Sequence, residues 1–161
     1  MCKKILSLCV FLATINVQIF AQEFNTNIDK QMLIISSTKN YEAAKDLARE
    51  AATKLKREWR MDQELTPNKE TGLTMSQKDC AASGWEYPCY GARGHGGGQN
   101  TYYISVEHSD WYEGLSKGYY IVVAAIDDKN SSVLKENLRL VKKFYPDAYA
   151  KNITVWFGCM H

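Results

Sequence analysis

Residues 114–118 read Gly-Leu-Ser-Lys-Gly, the G-x-S-x-G spacing that sets a nucleophilic serine between two glycines. His95-Gly96-Gly97-Gly98 matches the glycine string that supplies oxyanion amides in esterases. Together they suggest acyl transfer, but the order of elements argues against it. A nucleophile elbow leaves a strand and enters a helix, whereas Ser116 leaves a turn and runs into the apolar stretch Tyr119–Ile126. Only His108 and His161 lie outside the glycine string as candidate bases. The pentapeptide therefore reads as a turn, and no catalytic residue is expected. The histidines and cysteines form no C-x-x-C or H-x-x-x-H pair, so neither a metal site nor a cofactor is expected. Asp127-Asp128, and Asp110 with Glu113, offer the two carboxylates a glycosidase needs. All four fall in turn signals, where acids commonly bond nearby backbone amides. The chain reads as non-enzymatic.

The remaining segments set the context. Lys3 and Lys4 precede a mostly apolar run, Ile5 to Phe20, and Ala21-Gln22 offers a small-residue cleavage point. Residues 1–21 thus read as a secretory signal peptide. Ser7, Thr14, Asn16 and Gln18 interrupt the run too often for a membrane span. Cys9 is followed by Val10-Phe11-Leu12 instead of the polar start of a lipoprotein, which leaves lipidation as the weaker alternative. The expectation is an exported protein, periplasmic or secreted, with no stable membrane span. Cleavage leaves 140 of 161 residues, suited to one domain spanning 22–161. Two lysines leave with the signal, so 18 basic residues face 18 acidic ones. That balance excludes a nucleic-acid binder, which needs a basic excess. Cys80, Cys89 and Cys159 remain in an oxidising compartment. A Cys80–Cys89 disulfide across a turn-rich segment is one pairing, and Cys159 with either of them is its rival.

The periodicity predicts a strand over 31–37, then a helix from the Asn40 cap to about residue 60. Ala44, Leu47 or Ala48, Ala51, Leu55 and Trp59 form its apolar stripe. Residues 61–100 hold no period beyond a helical turn near 76–82 and read as an insertion. Its glycines at 91, 94 and 96–98 predict a mobile loop. Thr101–Glu107 alternates as a strand, and Tyr119–Ile126 is a second, more apolar one. Asn130-Ser131-Ser132 caps a helix with Leu134, Leu138, Val141 and Tyr145 on its stripe, and Pro146 stops it. A final strand covers 148–157. The order βαββαβ implies an α+β, ferredoxin-like fold, with a four-stranded antiparallel sheet and both helices on one face. The other face is left open to a ligand. Aromatic residues cluster there and in the insertion, and such rings stack on sugars or anchor protein interfaces. One of Tyr102/Tyr103 and one of Tyr119/Tyr120 should face away from the helices.

Three stretches carry a resemblance: Leu33–Ala44 (Leu-Ile-Ile-Ser-Ser-Thr-Lys-Asn-Tyr-Glu-Ala-Ala), Gly114–Ile126, and Tyr145–Lys151 (Tyr-Pro-Asp-Ala-Tyr-Ala-Lys). They resemble the first strand and helix start, the third strand, and the approach to the last strand of the SPOR (sporulation-related repeat) domain of bacterial cell-envelope proteins. The likeness covers most of 22–161 apart from 61–100. It implies the ferredoxin-like fold and binding of peptidoglycan glycan strands, stripped of stem peptides, across the open sheet face. Ser37 matches the family's serine after the first strand. Ile34 stands where a glutamine is typical, Tyr120 where an arginine is often found, and Ala124 replaces a glycine. The expected glycan- or partner-binding residues are Ser37, Tyr103, Ser105 and Tyr120. The alternative is a protein-binding module that uses the 61–100 insertion, such as an inhibitor, an immunity protein against a secreted toxin, or a binder of another envelope protein. A structural envelope role is weaker.

Overall fold

The computed structural model describes residues 27–60, 64–97 and 99–157. The signal segment 1–21, Gly98, Cys159 and His161 lie outside the described residues. Along the chain come β1 (Asn27–Thr38), α1 (Tyr41–Leu55), β2 (Thr66–Asn68), β3 (Gly72–Thr74), α2 (Gln77–Ala82), β4 (Ser105–His108), β5 (Tyr120–Asp128), α3 (Ser132–Val141) and β6 (Tyr149–Trp156). The main sheet has the order β4-β5-β1-β6 with every neighbour antiparallel. With α1 and α3 this is the ferredoxin-like arrangement expected from the sequence.

The Asn40 side chain accepts from the Ala43 N–H at 3.1 Å and starts α1. Ala44, Ala48 and Ala51 are fully buried, and their small side chains let the helix lie close to the sheet. The helix stops at Lys56, which adopts φ 51°, short of the expected end near residue 60. Glu58–Arg60 instead run along β4: Ile104 N–H donates to Glu58 O at 2.8 Å, and Arg60 N–H donates to Ile104 O at 3.0 Å. Trp59 thus leaves the helical stripe for a sheet edge. At the opposite edge, Gly96 N–H donates to Trp156 O at 2.9 Å and Thr154 N–H to Glu113 O at 3.4 Å.

Two register shifts interrupt the β1–β5 pairing, between Leu33 and Ile34 and between Ile34 and Ser36. The first leaves Ala124 without an opposite residue in β1, and Arg57 Nη1 donates to its carbonyl at 2.9 Å. An extra residue inverts the alternation of a strand. Tyr120 consequently meets Tyr41 of α1, ring centroids 5.3 Å apart, while Ile126 packs toward Gly94 on the other face.

The insertion is more ordered than its composition predicts. β2 and β3 form a hairpin that the sequence did not announce. The expected helical turn is α2, capped by Ser76 accepting from the Asp79 N–H at 3.1 Å. Cys80 and Cys89 are disulfide-bonded, S–S 2.05 Å. Within the glycine-rich segment, Ala92 and Arg93 are buried. Gly94 adopts φ 85°, a conformation that favours glycine, and sits over Ile126 and Val155. The face expected to lie open is therefore covered over its centre by the insertion. Met32, Ile34, Val123 and Ile126 are all fully buried beneath it.

Candidate functional site

The cover is held down by a buried polar cluster. Glu107 projects from β4, 5 % exposed, and its carboxylate accepts from the hydroxyls of Tyr90 and Tyr112, from Ser105 Oγ at 2.6 Å and from the Arg93 N–H at 3.2 Å. The Arg93 guanidinium donates to Ser105 Oγ at 3.0 Å, to Thr101 Oγ1 at 2.9 Å and to Val123 O at 3.2 Å. Ser105 thus links the two charges. Burial first, and then the Glu107 charge, push the Tyr90 and Tyr112 phenols well above their usual range, so both stay protonated and donate. Tyr103 lies half-buried against this cluster, with the Arg93 guanidinium carbon 3.8 Å from its ring centroid and that of Arg60 at 4.7 Å.

Beyond the cover, the same sheet face keeps a cleft of about 280 Å3, lined by Ser37, Ser109, Leu115, Ser116, Tyr119, Ile121, Tyr149 and Lys151. Ser37 Oγ and Tyr149 Oη lie 3.3 Å apart. The wall formed by residues 114–118 is set by its two glycines. Gly114 has φ 91° and Gly118 has φ 81°, and a Cβ on Gly114 would fall 2.7 Å from the Asn152 carbonyl oxygen. The Asp110 carboxylate accepts from the Gly118 N–H at 2.6 Å, and Lys117 Nζ donates to Asp110 O at 2.9 Å. The G-x-S-x-G spacing is thus turn geometry. His108, on the neighbouring strand, packs against Tyr120 on the helix side, away from the cleft lining.

Of the four residues expected to bind, Ser37 lines this cleft. Ser105 does not reach it, because its hydroxyl is committed to Arg93 and Glu107 in the interior. Tyr103 lies with Ser105 beside a separate cavity of about 240 Å3. Tyr120 faces α1, and Tyr119 takes the outward position, because the strand alternation puts only one of the pair on each face. Tyr149 and Lys151 were missed. Strand alternation puts them on one face of β6, but the sequence does not say that this face borders Ser37. Among the described residues, no group of three or more His, Cys, Asp or Glu could hold a metal ion, and no helix is long and apolar enough to cross a membrane.

His108 gives the fold a pH dependence. It is buried, its ring edge-on to Tyr120 at 5.2 Å, and Gly72 packs so closely that a Cβ there would lie 2.1 Å from Nδ1. Burial lowers its pKa; Asp110, 3.6 Å from Nδ1, opposes this and Lys117 adds to it. Burial lowers His95 as well. The unfolded chain takes up these protons below about pH 6.5, whereas the folded chain resists them. Stability is therefore fully present above that pH and declines as pH falls through the window between the unfolded and folded values. Urea midpoints should drop between about pH 7.5 and 5, and His108→Gln should flatten the decline. An equal decline in the variant would exclude His108 as a cause.

No protein-family model, curated protein or solved structure matches the chain.

Proposed function

We propose that this chain is an exported, non-catalytic binding domain of the bacterial cell envelope that holds peptidoglycan glycan strands. The observation that carries the reading is the Ser37–Tyr149 cleft. It is a part of the helix-free sheet face that the insertion leaves accessible, and a glycan on that face is what a resemblance to SPOR domains would imply. Its chemistry suits a sugar. Ser37, Ser116 and Tyr149 offer hydroxyls that donate or accept, Tyr119 offers a ring, and Lys151 offers a cation to a carboxylate-bearing sugar. A mostly polar rim around the apolar floor of Ile121 fixes orientation while excluding water.

The reading shifts the binding residues from Ser105 and Tyr120 to Tyr119, Tyr149 and Lys151, and keeps Ser37. Sedimentation with amidase-treated sacculi tests it. The exported protein should be retained, and the double variant Tyr149→Ala/Lys151→Ala should be retained about tenfold less, the effect of roughly 1.4 kcal/mol of lost binding. Wild-type retention no greater than that of an unrelated exported protein would overturn the proposal.

A further inference from the structure

A second concavity, of about 430 Å3, opens on the insertion and is lined by Trp85, Trp111, Trp156, Tyr90 and His95 among others. Trp85 and Trp156 are 50 % and 47 % exposed, although indoles of this size are ordinarily buried more deeply. Trp85 lies against bare backbone: a Cβ on Gly91 would sit 3.3 Å from its Cη2. Its loop is closed by the Cys80–Cys89 disulfide, and Trp85 N–H donates to Cys80 O at 2.9 Å. Trp111 is fixed by donation from Nε1 to Thr71 O at 2.8 Å. The indoles are thus held from separate segments around one groove. No acid, lysine or arginine lines it. His95 Nε2 is a buried polar atom there without a hydrogen-bond partner among the described residues.

We propose that this groove is a second sugar-binding surface that stacks uncharged pyranose rings on Trp85 and Trp156. An uncharged lining offers nothing to a phosphate, an acidic peptide or a basic one, but flat aromatic faces match the C–H faces of sugar rings. Both the groove and the cleft take lining residues from β6. β6 presents Tyr149 and Lys151 to the cleft and Trp156 to the groove. Residues 149 and 156 lie about 23 Å apart at the rise of an extended strand. The choice of ligand rests on the glycan reading of the cleft, whereas the position of the surface does not.

Titration of the exported protein with chitooligosaccharide, a neutral β-linked probe, tests this through tryptophan fluorescence. Trp85→Ala and Trp156→Ala should each weaken binding about tenfold, with little dependence on salt. Both side chains are half-exposed, so thermal melting should confirm that the variants remain folded. Sacculus retention together with unaltered probe binding in both tryptophan variants would overturn the groove and leave the cleft standing. Loss of sacculus retention in the cleft variant alone, with probe binding lost in the tryptophan variants, would support both. A concentration-dependent dimer abolished by Trp85→Ala would identify the groove as a self-association surface and overturn the proposal.

Discussion

Glu107→Ala should lower the unfolding free energy by about 3–5 kcal/mol, the cost of removing one member of a buried charged network. That is a large fraction of the roughly 5–15 kcal/mol that holds a domain together. Four donors converge on this carboxylate: two tyrosine hydroxyls, the Ser105 hydroxyl and the Arg93 amide. Truncation leaves them without their shared acceptor, and it leaves the Arg93 guanidinium buried without a counter-charge. Arg93→Ala should cost a comparable amount, because it strips donors from Ser105, Thr101 and the Val123 carbonyl. The double variant should be less destabilised than the sum, since each single change already wrecks the shared network. Urea unfolding followed by near- and far-ultraviolet circular dichroism measures all three. A loss below about 1 kcal/mol in Glu107→Ala would mean that the insertion is held to the sheet by apolar contact alone.

Removing the disulfide should rank second. The Cys80→Ala/Cys89→Ala variant should lose about 2–3 kcal/mol, the loop-closure entropy of a ring this short. The bond spans a sequence separation of 9. The effect should be local as well as global. Met75 N–H donates to Cys89 O at 2.9 Å, and Cys89 N–H donates to Thr74 Oγ1 at 3.1 Å, so the bond tethers the chain that follows β3. Hydrogen exchange should accelerate at residues 75–90 while β1 and β5 keep their protection. The double substitution also removes any exchange with the third thiol at Cys159. Coincident unfolding curves for wild type and variant would show that the surrounding hydrogen bonds, and not the bond itself, order this loop.

The βαββαβ order was legible because its signals are local. Asn40 and Ser131 cap helices with their own side chains, and Ala44, Ala48 and Ala51 keep helical spacing. The helical turn at Gln77–Ala82 was visible for the same reason. What failed was non-local. Nothing near Arg93 announces that its guanidinium will reach Ser105 and Val123, so the covering of the sheet by this part of the insertion was not foreseen. Tyr120 was misplaced because only the pairing partner decides which of two adjacent tyrosines faces the helices. The Ala124 bulge, which reverses the alternation beyond it, is equally invisible before β1 is paired. The cleft unites β1, the 114–118 turn and β6, which are distant in sequence, and of its residues only Ser37 was expected to bind.

The treatment of the sheet margins has a further consequence. Glu58–Arg60 pair with Ile104, just ahead of β4, and Gly96 and Glu113 take hydrogen-bonding positions along β6. A bare strand margin is a template on which identical chains polymerise into fibrils. Here part of each margin is already paired by the chain's own loops, and one of those loops belongs to the insertion. The insertion therefore also acts as a solubility device: variants that loosen it should form aggregates before they lose affinity for any ligand.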